Sequence, residues 1–510
     1  MKWLGALSLI VGCSVGITAG FAARPCRAEL IYFRKGGEVQ LPATVTGNRI
    51  LLTMPDGPVD LARDSVAKLV PGFWPETEWT AKQKQSNGSR FEARFEVVWW
   101  AIENGLASEV AGEVRALHAL DPRNSPTARM AAVLDRLDRP SLETDSDRFR
   151  RALGIETRVA RGPHVLLLHQ HSDADANERV ALLERVITGY HLMFAAQGIE
   201  LSVPRRRLVS AWFADQKDYL AFLRSEDATA FATTRGYFHP TWKAVVAYDA
   251  RSSETQRTAR DKLEMKRGEL QRYGELVDAA PVRSRVKIKL ADEPMRTVGR
   301  AEAKAFLTRI GGEIDSEMLL LELDRRSIDL GTAAHEMVHQ LTSDSGLAPA
   351  HDVFPVWLHE GLAAQFEVIR GGRWAGISRA HDLRLPDWRK IESPLRLERL
   401  VRNAGFGRGY QRDLYAQAWA LVYFLRTQHP NEFLTFIDFL RKPSLGTERA
   451  SSGAQDRVST AFTRAFGADL DRLDGDWRTF MKTVKTPLEQ HAPSPTSGPG
   501  GGIAASRASN

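Results

Sequence analysis

Apolar residues recur at two periods along this chain, and the change of period divides it. Between residues 29 and 72, short runs alternate: Leu30-Ile31-Tyr32-Phe33, Arg49-Ile50-Leu51-Leu52, and Val66 to Val70. Gly36-Gly37, Gly47-Asn48 and Asp56-Gly57-Pro58 separate or follow them. Alternation broken by such turn formers predicts strands and hairpins, hence a small β module. From 75 to 152 the period lengthens. Phe95, Val98, Trp99 and Ile102 fall at helical spacing, as do Val110, Val114, Leu117 and Leu120 before Asp121-Pro122. This predicts a helical region containing a helical hairpin.

From 163 onward the texture is mixed. His164–His169 and Leu208–Phe213 predict strands, 175–196 and 216–223 predict helices, and Gly236-Tyr237-Phe238 with Ala244–Tyr248 predicts a hairpin. Residues 254–280 are charged, with only Leu263, Leu270 and Leu276 as sparse apolar positions. They predict an exposed helix in a charged helical insertion over 254–310. Glu317–Leu323, with four consecutive apolar residues, predicts another strand. Helices are then expected at 332–343, 355–369, 412–428, 431–441 and 456–484. The tail from 487 is rich in Pro, Ser, Gly and Ala and is expected to be disordered. The expected class is α+β: a small β module, a helical region, and one large mixed domain over 163–485.

The N-terminus changes this picture. Lys2 precedes an apolar stretch from Trp3 to Phe21, then Arg24, Pro25 and Arg27, which predicts a signal peptide over residues 1–28. An uncleaved anchor helix is one alternative. A lipobox-like Ile10-Val11-Gly12-Cys13, with lipid on Cys13, is another. The chain is thus expected to be exported, periplasmic or secreted. Both cysteines, Cys13 and Cys26, fall in this leader. The mature chain then has no disulfide, no thiol nucleophile and no thiolate ligand.

The net charge is +7 over 510 residues. The arginines are interspersed with Asp and Glu, and no basic run carries interleaved aromatics, so no nucleic-acid partner is expected. Beyond the leader no apolar run reaches the length of a membrane span. There is no phosphate-binding GxxxxGK[ST], no GxGxxG after a strand and no G-x-S-x-G elbow.

One segment carries chemistry. His335-Glu336-Met337-Val338-His339 is an HExxH sequence. On a helix, positions four apart share a face, so both imidazoles can reach one ion. Glu336 sits one residue round from the first ligand and can serve as general base to a water instead of ligating. Thr332 is placed to cap such a helix, and Gly346 to follow its end. Glu360 follows with 20 residues between it and His339, within Trp357-Leu358-His359-Glu360-Gly361-Leu362-Ala363. Catalytic zinc sites take three protein ligands and keep one position open, and two His with one Glu is such a set. Pro355 fits the first turn of a second helix, and Gly371-Gly372 its end.

Residues 335–367 resemble the active-site segment of the peptidase MA-like gluzincins, zinc metallopeptidases with a thermolysin-like core. The resembling features are HE-x-x-HQL, the connector Gly346-Leu347, and P-x-WL-x-EG-x-A-x-x-FE. The resemblance extends over roughly 163–430. It implies Zn2+ held by His335, His339 and Glu360, with Glu336 as catalytic base. The segment beginning Tyr415-Ala416-Gln417-Ala418-Trp419 is similar to a downstream helix from which such enzymes donate to the oxyanion. It implies Tyr415 in that role, with Tyr410 second; packing of Tyr415 on Trp419 is the alternative. His351 could line the cleft, His359 is expected beside the ligands without joining them, and Asp344 is a candidate to orient a ligand imidazole. The expected activity is peptide-bond hydrolysis on a protein or peptide substrate. A zinc amide hydrolase acting on cell-wall peptides, or a non-catalytic binding protein with a relict metal site, are the alternatives.

Overall fold

The computed structural model describes residues 27–54, 57–290, 293–348, 354–377, 379–406, 411–442, 454–486 and 489–490. Cys13 and Cys26, the rest of the expected leader up to residue 26, His351, Tyr410 and the tail from 491 lie outside them. The described residues combine helices and strands in an α+β arrangement.

The first sheet is built from β1 (Arg27–Phe33), β2 (Glu38–Thr46), β3 (Arg49–Met54), β4 (Gly57–Ala62) and β5 (Val66–Pro71). It is antiparallel, in the order β4-β3-β2-β1-β5. Alternate residues on β3 are buried, which gives the sheet one apolar face. That face, including Ile31, Leu41, Ile50 and Leu52, packs on Leu319, Leu320 and Leu323 of a later helix. Five helices follow: α1 (Pro75–Ser86), α2 (Phe91–Glu103), α3 (Ala111–Leu120), α4 (Ser125–Leu137) and α5 (Asp147–Ala152).

The second sheet holds β6 (Arg158–Arg161), β7 (Val165–His169), β8 (Leu208–Phe213), β9 (Gly236–His239) and β10 (Ala244–Tyr248). Its order is β6-β7-β8-β10-β9. The three central strands are parallel; β6 and β9 are antiparallel to their neighbours. Every residue of β7, β8 and β10 is buried, as continuous apolar strands covered on both faces should be. Leu167 and Trp212 on one face join the main core with α6 (Asp173–Ala196). Leu166, Leu168 and Phe213 on the other pack against Phe149 of α5 and Phe222 of α7 (Gln216–Ser225).

Next come α8 (Glu254–Ala279), the hairpin β11 (Arg285–Ile288) and β12 (Arg296–Gly299), and α9 (Arg300–Asp344). The strand expected at 317–323 and the helix start expected at Thr332 both give way to this single helix of 45 residues. The reason is burial on two sides. Leu319, Leu320 and Leu323 face the β module, while Met318 joins Ile310 and Ile314 in a cluster with Val277 of α8. A helix buried on two sides gives the same continuous apolar run as a strand. The charged α8 is one half of a long helical pair with α9.

The C-terminal part holds α10 (Val356–Ala363), the hairpin β13 (Ile369–Arg370) and β14 (Arg373–Trp374), α11 (Arg384–Lys390) and α12 (Leu397–Val401). It continues through α13 (Arg412–Gln428), α14 (Pro430–Arg441), α15 (Ala454–Phe466) and α16 (Leu470–Thr483). The helix expected over 355–369 ends at Ala363, and Gly371 and Gly372, both with positive φ, form the hairpin turn instead. The single helix expected over 456–484 is broken at Gly467, also at positive φ. No helix of the described residues is long and apolar enough to cross a membrane.

Candidate metal centre

His335, Glu336 and His339 ride on the C-terminal third of α9. Ala334, Met337, Val338 and Leu341 bury the opposite side of these turns in the main core. Gln340 anchors the helix to the sheet, its amide donating to the carbonyls of Val209 and Lys243 at 3.2 and 2.8 Å. Glu360 is presented by α10, whose entry is fixed by Asn403: its amide oxygen accepts from the Trp357 N–H at 3.3 Å. Gly361 lets α10 approach α13 closely. A Cβ there would collide with the Ala418 carbonyl and lie 2.6 Å from Val422.

These elements bring three donor atoms together. Nε2 of His335 lies 3.1 Å from Nε2 of His339 and 3.2 Å from Oε2 of Glu360, and the third side of the triangle is 3.7 Å. Around a tetrahedral ion with bonds of about 2.0–2.1 Å, donors stand about 3.3 Å apart. The spacing therefore fits a metal ion, and His335, His339 and Glu360 form a group able to hold one. Both imidazoles turn Nε2 toward the same point, as two histidine ligands of one ion do.

A carboxylate orients the first imidazole. Nδ1 of His335 donates to Oε2 of Glu367 at 2.7 Å, which leaves Nε2 with its lone pair toward the centre. Oε1 of Glu367 accepts from Nε2 of His381 and Nε of Arg384, both at 2.8 Å. The His381 tautomer is set in turn, because its Nδ1 accepts from the Leu383 N–H at 3.0 Å. Burial opposes ionisation of Glu367, but Arg384, His335 and His381 outweigh it and hold its carboxyl well below the usual range. Gly331 makes the approach possible: a Cβ there would meet the Glu367 carbonyl at 2.9 Å. Asp344, the sequence candidate for this role, is the exposed last residue of α9. Glu367 escaped notice because it lies beyond the predicted ligand, in what the pattern marked as helix. Its place at the end of the W-L-x-E-G segment was the available signal.

Glu336 is buried beside the triangle. Burial raises its carboxyl, the two imidazoles pull it down, Glu360 raises it further, and the Phe238 N–H donates to it. Phe238 belongs to β9, the terminal strand of its sheet. β9 also sits tight against α9, since a Cβ on Gly236 would lie 3.0 Å from Thr332. His359 packs beside the ligands, its ring 6.1 Å from His339 and 5.5 Å from Phe354. Tyr415, half-buried on α13, lies under the Arg384 guanidinium at 5.8 Å and so borders the Glu367 cluster. Trp419 stacks on Tyr423.

Residues 329–445 match the model of a family described as a protein of unknown function, DUF1570. That span contains His335, Glu336, His339, Glu360, Glu367, His381, Arg384 and Tyr415. Over 88 residues the chain is 32% identical to a mycothiol acetyltransferase of Nocardiopsis dassonvillei, a stretch covering 17% of this chain and 24% of that protein. The chain thus spans about a quarter of the length of this curated relative. No solved structure matches it.

Proposed function

We propose that this chain is a zinc-dependent peptidase with a gluzincin-type core. The observation that carries the reading is the triangle of His335, His339 and Glu360 with a buried, non-ligating carboxylate, Glu336, at its side. Two imidazoles and one carboxylate suit zinc, and three protein donors leave it a position open to a reactant. Zinc bound there supplies Lewis acidity toward a carbonyl and makes water a better nucleophile at neutral pH. Glu336 takes a proton from the attacking water and returns it to the leaving amine, and burial, by raising its carboxyl, strengthens it as a base. Glu367 fixes the His335 tautomer throughout. The terminal strand β9 runs beside Glu336, where an extended polypeptide substrate could lie along the sheet. Tyr415 is the proposed oxyanion donor. An N-terminal leader that sends the chain out of the cytoplasm belongs to the same proposal.

The test has two arms. Elemental mass spectrometry of the purified protein should find one zinc per chain, lost or weakened in Glu360→Ala. Turnover of a peptide library should be abolished in Glu336→Gln with zinc retained. Absence of zinc after careful loading would overturn the reading. So would cleavage that survives Glu336→Gln.

A further inference from the structure

A second feature lies at the other end of α9, roughly 50 Å along its axis from His335. There the hairpin β11–β12 lies against the α8–α9 pair. Val286, Ile288 and Val298 turn one face of it into the cluster with Val277, Phe306 and Ile310. Side chains alternate along a strand, so Arg285, Lys287 and, just past the strand, Lys289 point the other way. All three are exposed.

The charge of this face is not compensated. Residues 282–304 carry seven Lys and Arg against three Asp and Glu. The Arg285 guanidinium donates to the Thr297 carbonyl at 2.5 Å and the Lys289 ammonium to the Glu293 carbonyl at 3.0 Å, both neutral acceptors. Arg283 and Lys287, both exposed, make no ion pair and no side-chain hydrogen bond among the described residues. The helices beneath behave differently: Arg267 of α8 pairs with Asp315 of α9 at 2.6 Å, and Asp278 with Lys304 at 2.5 Å. A solvated charged face commonly mixes its signs in this way. Like charges side by side on one strand repel, and an apposed anionic surface removes that repulsion.

Aliphatic side chains rim the same face. Val282, before β11, is 79% exposed, the most of any large apolar side chain described, and Met295, before β12, is 67% exposed. Leu276, on the last turn of α8, is exposed as well. No aromatic residue occurs between 282 and 304, so the face offers nothing on which a nucleic-acid base would stack.

We propose that this face of the β11–β12 hairpin docks the protein on an anionic lipid bilayer. Arg283, Arg285, Lys287 and Lys289 meet the head-group phosphates, and Val282 and Met295 enter the interface beside them. Basic groups combined with exposed aliphatic ones suit a bilayer, which offers negative charge at its surface and an apolar layer beneath. The attachment is peripheral, since no helix of the described residues is long and apolar enough to span. The proposal stands apart from the zinc reading, since no residue is common to both.

The experiment is co-sedimentation of the full chain with sucrose-loaded vesicles, either of phosphatidylcholine alone or of phosphatidylcholine mixed with phosphatidylglycerol, at low and at physiological salt. Anionic vesicles should bind at least about tenfold more tightly than neutral ones, and salt should weaken the binding. Each cation near such a surface contributes about fivefold, so Arg283→Gln combined with Lys287→Gln should weaken it by about tenfold or more. Neither residue has an internal partner to lose, so the double variant should keep the parent circular dichroism and melting temperature. Val282→Gln should weaken binding by at least about fourfold, the worth of one CH2 group taken into the bilayer. Arg123→Gln combined with Arg139→Gln removes the same charge from exposed residues at the two ends of α4. That control should stay within about twofold of the parent, because screening confines the effect to charges near the surface. Residues 1–28 are common to all variants, so differences between them report the hairpin. No gain from anionic lipid, unchanged affinity in either folded hairpin variant, an equal loss in the α4 control, or duplex DNA bound as tightly as the anionic vesicles would overturn the proposal.

Discussion

The Glu367 carboxylate lies 2.7 Å from Nδ1 of His335, on the far side of the imidazole from the donor triangle. It is the only acceptor positioned there among the described residues, and two further donors, His381 and Arg384, hold it in place. Carboxylates that orient a ligand histidine typically contribute about 10–100-fold to metal affinity. Glu367→Gln should therefore weaken zinc affinity by about that factor, measured by competition with a chromophoric chelator. His381→Gln should have a smaller effect, since Arg384 still holds the carboxylate. Unchanged affinity in Glu367→Gln would remove the orienting role.

A second prediction concerns the close approach of α10 and α13. Gly361→Ala places a methyl against the Ala418 carbonyl and Val422. Overpacking of this kind costs about 1–3 kcal/mol. Because Glu360 is the adjacent residue, the variant should also bind zinc more weakly. Thermal unfolding and metal titration, run together, should both report the loss. Gly346→Ala, where a Cβ would meet nothing within 4 Å, serves as control; its positive φ gives it a strain of its own but no collision with α13.

The third concerns acid. His169, His171, His191 and His239 are all held below the ordinary histidine value, in each case chiefly by burial. At these four residues the folded state binds fewer protons than the unfolded state once pH falls below about 6.5, whereas Asp329, raised to about 6, acts in the opposite direction. The stability these histidines contribute is full above that value and declines as pH drops through the folded-state values. With a chelator present, so that metal loss plays no part, the contribution of these four histidines is read as the difference in melting temperature between pH 7.5 and pH 5 in the parent and in a His171→Gln variant. His171→Gln should flatten the slope, and an unchanged slope would assign the effect elsewhere.

A fourth follows from the proposed oxyanion role. Tyr415→Phe should lower kcat by about 10–1,000-fold with little change in KM. An unchanged kcat would leave Tyr415 as packing beneath Arg384.

The chemical triad of the centre was legible because its geometry is local. Two imidazoles four residues apart on a helix share a face whatever surrounds them, and the W-L-x-E-G segment placed the third donor on the next helix. The alternation at Ile50 and Leu52 marked the buried face of β3 for a similar reason. What escaped was set by tertiary partners. The run Met318 to Leu321 reads as a strand only if one neglects that α8 and the β module bury opposite sides of a helix. Glu367 and His381, 14 positions apart in sequence, meet across the β13–β14 hairpin, a separation that no periodicity marks.

The length of α9 sets a rule of phase. Leu323 grips the β module, and His335 on the same uninterrupted helix faces the donor triangle. Each residue turns a helix by about 100°. Inserting or deleting one residue between Leu323 and His335 would turn the imidazoles away from Glu360 or wrench the leucines out of the sheet. Only a change close to whole turns could preserve both bearings, and it would slide the two contacts apart along the axis. The two ends are thus keyed like cams on one shaft, and this stretch of chain has less freedom of length than any surface loop.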